Sequence, residues 1–351
     1  MLLGVGVALI VIELGIRFLP IDLPSAVRAS VSIHAGRNVV EGHPSLGWSL
    51  VPDLRGVPVP SADYELFHVT THSVGADGTA FRGPKTANPF GVVVGDSFVF
   101  GFGVEQEQSL PALLGEQVGE AFANFGVYGY GPQQAGIALR DYALATSPNV
   151  AIWVFFENDL NDAHNFEVAP PVPRERGARL EPQDWHNKFW ATFKYWRYRS
   201  PYLSSRREHY RSGTVELILH YNCFDELDLG REQIQKGLQH TRTAFESFAS
   251  DCHLAGTLPF VVLMPFKESV YRNEFRELAR QKASWEVLDD TRAVVKEAAV
   301  AAGLPALDLT PFLRSVRDKQ IYQVADAHLS PLGNRLAAEQ ISTFIRTGWE
   351  R

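Results

Sequence analysis

The sequence predicts an α/β fold, a three-layer α/β/α sandwich around a mainly parallel five-stranded sheet. Three observations predict it. Short apolar runs alternate with helix-like stretches from residue 91 to the end of the chain. The run GVVVG at 91–95 is apolar on both faces, as a strand buried in a parallel sheet must be. Glycine or Asn-Asp turns follow the first three strand candidates. With 351 residues, 45% of them hydrophobic, the chain is long enough to bury such a core in one large domain or two small ones.

In chain order, residues 1–20 read MLLGVGVALIVIELGIRFLP. A helix of about 20 apolar residues spans a bilayer, so this segment predicts a transmembrane anchor. A cleaved secretory signal and a buried core helix are the alternatives. No Lys or Arg precedes the run, so charge gives no orientation. The anchor reading places the rest of the chain outside the cytoplasm, in periplasm or extracellular space; cleavage would make it secreted. Residues 21–88 read as a linker and N-terminal extension. Prolines and glycines punctuate 21–60 as a loop-rich connection, and 64–72, YELFHVTTH, is a strand candidate.

Residues 89–351 form the main domain. Strand candidates are 91–95, 121–127, 149–156, 258–264 and 305–309, and helix candidates are 109–118, 133–145, 231–250, 285–302 and 333–345. An insertion at 163–230 interrupts the alternation. It contains an aromatic and basic stretch, 184–211, which reads as a lid, a substrate wall or membrane-contacting helix, or as a packed helical insert.

Net charge is −7, which argues against a nucleic-acid binder, since phosphate contact needs a basic face. The two cysteines, Cys223 and Cys252, form no C-x-x-C pair, so no cysteine-based zinc site is expected. Outside the cytoplasm they could form a disulfide; otherwise they are buried thiols.

Four pieces carry chemistry. Gly95-Asp96-Ser97-Phe98 follows the first apolar strand, where a hydroxyl can project at the carboxyl edge of a sheet. Serine needs a base to become a nucleophile. Asp326-Ala327-His328 precedes the last helix and offers that base, with a carboxylate to orient it. Asn158-Asp159 follows the third strand, and an Asn amide can donate to a developing oxyanion. Gly129, in a glycine-rich turn after the second strand, allows a backbone N–H to approach substrate. Taken singly, each has a plain structural alternative: a chance tripeptide, a surface histidine, a helix cap and a tight turn.

In this combined order the four pieces resemble the blocks of the SGNH hydrolases, the GDSL esterase/lipase family, which contribute Ser, Gly, Asn and His. The resemblance runs from about residue 91 to the end and is weakest over 163–230. It implies a flavodoxin-like SGNH fold with Ser97 as nucleophile, His328 as base and Asp326 as its orienting acid. It also implies an oxyanion hole from Ser97, Gly129 and Asn158. Two departures stand out: Phe156 occupies the position where the family's third block, Gly-x-Asn-Asp, often has glycine, and Asp326 lies two rather than three residues before His328. The N-terminal apolar helix together with GDSFVFGFGV and FFEND looks like membrane-anchored bacterial members, among them enzymes that add or remove acetyl groups on exported polysaccharides. Lys267 and Tyr271, in LMPFKESVY, are in a segment similar to that group; they face substrate or belong to a strand-end loop.

The expected function is a serine esterase hydrolysing short-chain acyl esters of a small molecule or polysaccharide, with no metal or cofactor. The alternatives are an O-acyltransferase modifying an exported polysaccharide, and a non-catalytic carbohydrate-binding or assembly protein that keeps the fold. Oligomeric state is not legible.

Overall fold

The computed structural model describes residues 39–61, 66–168, 207–280 and 283–349, with Gly4, Ala8 and Val11 as isolated helical positions. The anchor expected at 1–20 therefore lies, apart from those three positions, outside the described residues. Among the described residues no helix is long and apolar enough to cross a membrane.

Six short strands come first: β1 (Val40–His43), β2 (Gly47–Leu50), β3 (Val57–Pro60), β4 (Leu66–Val69), β5 (Thr71–Val74) and β6 (Thr79–Arg82). They build an antiparallel sheet of order β1-β2-β6-β5 and a separate β3-β4 pair. Residues 40–60 thus form strands where proline and glycine spacing predicted a loop-rich connection. The prolines sit in the turns and in the two-stranded β3-β4 pair, where a missing N–H is tolerated. The single strand expected at 64–72 is two strands broken at Thr70.

The core sheet comprises β7 (Gly91–Gly95), β8 (Phe122–Gly126), β9 (Val150–Phe156), then, after the hairpin β10 (Arg207–Ser212) and β11 (Val215–His220), β12 (Leu258–Met264) and β13 (Ala306–Asp308). Its order is β13-β12-β9-β7-β8, every neighbour parallel. Counted along the core strands this is 2-1-3-4-5, the flavodoxin-like order, which places its crevice at the carboxyl ends of β7 and β9. The five expected strands are all present in register with their apolar runs.

Side chains alternate between two cores. Val92, Val94, Phe125, Trp153, Phe155, Val261 and Leu263 face one cluster, and Val93, Ile152, Val154, Phe156, Val262 and Met264 face the other. Trp153 packs against Phe245 and Phe248 of the Glu232–Ala255 helix, with ring centroids 5.1 and 5.4 Å away. Cys223 and Cys252 are both buried, free, and in opposite clusters, so the sheet lies between them. The helix expected at 133–145 runs as α-helix only over Pro132–Ala138 and then continues as a five-residue π-turn over Leu139–Ala143. The other four expected helices are Leu110–Val118, Glu232–Ala255, Val287–Ala301 and Pro331–Trp349.

Of the 163–230 insertion, residues 169–206 lie outside the description, so the lid or membrane reading of 184–211 falls there except for 207–211 in β10. The part described is structural. The β10-β11 hairpin inserts Leu217 and Leu219 into the second core cluster, and Glu208 accepts bonds from Tyr221 and Arg280.

The Glu232–Ala255 helix approaches the Asp159–Val168 helix so closely that a Cβ at Gly237 would lie 1.8 Å from the Leu160 carbonyl oxygen. Gly237→Ala is therefore expected to destabilise by about 1–3 kcal/mol through overpacking. Denaturant unfolding checks this, and an unchanged midpoint would mean that the two helices can separate freely.

Candidate active site

The serine turn is a product of local sequence. β7 ends at Gly95, whose φ is +150° and whose absent Cβ would meet the Val154 carbonyl oxygen at 2.6 Å. Only glycine fits there. Asp96 caps the four-residue turn Ser97–Phe100, its Oδ1 accepting from the Phe98 N–H at 2.9 Å. Phe98, Val99 and Phe100 are buried, and Val99 lies on the bare face of Gly126 at the end of β8. Ser97 is thus held at the carboxyl edge of the sheet by its neighbours rather than by its own side chain.

The following loop is fixed by a residue that no motif announced. Arg82, at the end of β6, is buried and donates to the carbonyls of Phe100, Gly101, Val104 and His68. Its guanidinium lies over the Phe67 and Phe100 rings. Burial pushes its pKa down to about 10. A lone arginine in TAFRG carries no sequence signal, because its four acceptors are all backbone oxygens.

The histidine comes from a closed loop before the last helix. Tyr322 bridges Leu329, the Gln323 N–H donates to the His328 carbonyl at 2.9 Å, and the Ser330 N–H donates to the Ile321 carbonyl at 3.0 Å. Ser330 Oγ accepts from the Gly333 N–H at 3.1 Å, and Pro331 opens the helix.

These two segments meet. His328 Nε2 lies 2.7 Å from Ser97 Oγ, and His328 Nδ1 lies 2.8 Å from Asp326 Oδ1. The two-residue spacing of Asp326 and His328 is therefore compatible with direct contact, because the tight loop folds the carboxylate back onto the ring. Phe98 and Phe102 flank the imidazole at centroid distances of 5.0 and 5.1 Å and shield it from water. Burial alone disfavours the imidazolium, but the charge and hydrogen bond of Asp326, with Asp96 behind it, outweigh this and raise the His328 pKa above 6.5. Burial likewise opposes the Asp326 carboxylate, yet the charge of His328 and the bonds from His328 and the Ala327 N–H hold it down to about 2. Burial pushes Asp96 up to about 6 against the Phe98 N–H.

Gly129 and Asn158 follow the strands on either side of β7. Gly126 pairs with Gly95 and Val154 pairs with Gly95, so Ser97, Gly129 and Asn158 all lie just beyond adjacent strand ends. Gly129 has φ +76°, and its open side faces Trp48, which reaches over from β2 and donates from Nε1 to the Tyr128 carbonyl at 3.2 Å. Asn158 Nδ2 donates to Asp162 Oδ2 at 3.2 Å, which leaves its second N–H for another acceptor. Burial, with the charges of Asp96 and Glu226, pushes Asp162 up to about 7.

Glu157, the residue before Asn158 in the third block, is buried and multiply bonded. It accepts from the Phe266 N–H at 2.6 Å and from Ser269 Oγ at 3.0 Å, and pairs with Arg292 at 3.1 Å. Burial still pushes its pKa up to about 7. Lys267 and Tyr271 do not face an open site. Both are buried, Lys267 against loop carbonyls and Tyr271 with its hydroxyl donating to the Lys319 carbonyl at 3.2 Å. The similar segment they share is thus a strand-end structural turn. Among the described residues no group of three or more His, Cys, Asp or Glu could hold a metal ion.

The imidazole must be neutral to accept the Ser97 proton, so labelling of Ser97 by a fluorophosphonate should rise with pH through a midpoint above 6.5. Asp326→Asn should move that midpoint to lower pH, because the carboxylate is what raises it, and should slow labelling by about 10³–10⁴-fold. The same pair contributes stability above the ordinary carboxyl value of 3.8 that is lost as pH falls towards about 2. A midpoint that Asp326→Asn leaves in place would show that the pair is not coupled.

No curated protein sequence matches the chain. Three solved structures similar to it are a lipolytic protein of the G-D-S-L family from Desulfitobacterium hafniense DCB-2, the acetyl xylan esterase AlAXEase and a lipase/acylhydrolase from Enterococcus faecalis. Their identities are 14%, 9% and 14%, and their TM-scores are 0.41, 0.41 and 0.40. The matches cover 72%, 72% and 73% of this chain and 98%, 98% and 95% of theirs. Likenesses this loose assign no activity. Residues 224–350 match the family model described as "SGNH hydrolase-like domain, acetyltransferase AlgX". The match includes Asp326 and His328 and begins after Ser97, Gly129 and Asn158. Over 224–350 the chain is thus similar to an SGNH hydrolase-like domain.

Proposed function

We propose that the chain is a serine-dependent acyl-transfer enzyme acting on carboxylic esters, with Ser97 as nucleophile. The observation that carries this reading is the continuous line Ser97 Oγ to His328 Nε2 at 2.7 Å and His328 Nδ1 to Asp326 at 2.8 Å. In this mechanism Ser97 Oγ attacks the acyl carbon while its proton passes to His328 Nε2. Asp326 stabilises the imidazolium and fixes the tautomer. The carbonyl oxygen becomes an oxyanion, and the donors we assign to it are the Ser97 N–H, the Gly129 N–H and the free Asn158 amide hydrogen. Collapse breaks the ester C–O bond, and His328 returns the proton to the leaving alcohol oxygen. The acyl-Ser97 ester is then attacked by a second hydroxyl, whose proton passes to His328 Nε2 and from there to Ser97 Oγ as the acyl C–Oγ bond breaks.

Water as that second hydroxyl makes an esterase, and a sugar hydroxyl makes an O-acyltransferase. The esterase is our first reading, and a short acyl group suits the site because Phe98 and Phe102 crowd the imidazole and Trp48 lies against Gly129. The transferase is the second, supported by the family match over 224–350. Both use the same residues.

Hydrolysis of a short-chain p-nitrophenyl ester by wild type and by Ser97→Ala tests the nucleophile. Activity is expected in wild type and should fall by about 10³-fold or more in Ser97→Ala. Equal activity in the two would remove Ser97 from the mechanism. Adding an acylatable oligosaccharide separates the two readings. Acylated sugar with faster donor consumption identifies a transferase, and free acid alone identifies an esterase.

A further inference from the structure

Lys267 is the first residue of the short turn Lys267–Val270 after β12 and is 1% exposed. An ammonium in such a place needs acceptors, since an unpaired buried charge is costly. Its Nζ donates to the Asp326 carbonyl at 2.8 Å and to the Val324 carbonyl at 3.2 Å. Both acceptors belong to the loop that carries Asp326 and His328. The hairpin β10-β11 holds the same loop from a second side. The Ile218 N–H donates to the Val324 carbonyl at 2.8 Å, and the His220 ring bonds to the Ala325 carbonyl. Three successive carbonyls, 324 to 326, are therefore all engaged by donors from outside the loop. This is more restraint than a surface turn needs, and all of it converges on the residue that orients His328.

We infer that Lys267 is a positioning residue of the acyl-transfer site: its ammonium clamps the main chain of Asp326 and thereby sets the contact between Asp326 and His328. The inference rests on the Ser97 reading above. The groups that face the ammonium are Glu268 on its own turn, His220 on β11, and Asp326 and His328 on the loop, with Arg207 on β10 acting on His220. Lys267 opposes the imidazolium of His328 while favouring the Asp326 carboxylate. It also explains why a lysine is tolerated behind the second core: its stem packs while its head replaces water at two carbonyls.

The test uses the full chain and compares wild type, Lys267→Met, Asp326→Asn and the double variant. The readout is the rate of fluorophosphonate labelling of Ser97 as a function of pH, with thermal unfolding alongside. Lys267→Met should label about 10–100-fold more slowly while folded, since a small misplacement of a catalytic group costs this much. Its acid limb should move to lower pH, towards that of Asp326→Asn, because the carboxylate that raises the His328 pKa is no longer held against the ring, an effect larger than the loss of the opposing Lys267 charge. In the Asp326→Asn background Lys267→Met should cost little more, because its effect passes through Asp326. If Lys267→Met does not fold, Lys267→Gln, whose amide is one bond shorter than the lysine stem and cannot span both carbonyls, should likewise label more slowly and lose that effect in the Asp326→Asn background. Wild type that labels while the folded variant keeps its rate and acid limb overturns the inference and leaves Ser97 in place. An equal loss with and without Asp326 also overturns it. Wild type that never labels overturns the Ser97 reading itself.

Discussion

The molecule depends on one contact between two side chains that are 231 residues apart, the 2.7 Å approach of His328 Nε2 to Ser97 Oγ. A proton transfer across that gap tolerates little error, so each partner must be fixed independently. The serine side is fixed by sheet geometry: a glycine strand end, an Asp96 cap, and Arg82 gripping the loop that follows. The histidine side is fixed by a closed loop, a capped helix and donors behind it. Closing so long a stretch costs only slowly increasing entropy, and the two hydrophobic clusters on the faces of the sheet supply the stabilisation.

A second, largely buried ionic group gathers behind the end of β9. Arg292 pairs with Glu157 and Asp308 at 3.1 Å each and with Asp289 at 2.6 Å. Such a cluster gives little net stability over an apolar packing, because desolvation offsets attraction. What it does give is connectivity. Glu157 ties the end of β9 to the Phe266 N–H and Ser269, so the turn that precedes Asn158 and the turn that carries Lys267 are built on one carboxylate.

The five core strands were legible because buried parallel strands must be apolar on both faces, and 91–95 and 150–156 are; their order in the sheet entered only through the family resemblance. Ser97 and His328 were legible only in combination, because each alone reads as a chance tripeptide or a surface histidine and the order of the four pieces is what resembles one family. The antiparallel strands at 40–60 were not, because prolines at turns and in the two-stranded β3-β4 pair give the same signal as a linker. Arg82 and Lys267 were not legible either as positioning groups. Their partners are backbone carbonyls, which every residue has, so no spacing pattern marks them. Trp48 shows the same limit: it reaches Gly129 only through the packing of two sheets.

The central claim is that Ser97 carries the acyl group between donor and acceptor. Rapid acid quench of the protein during turnover of an acetyl ester, followed by peptide mass spectrometry, tests it most directly. The mechanism predicts an acetyl adduct on the peptide that contains Ser97, absent in Ser97→Ala. Ester consumption with the adduct on another residue, or with none at any quench time, would contradict it.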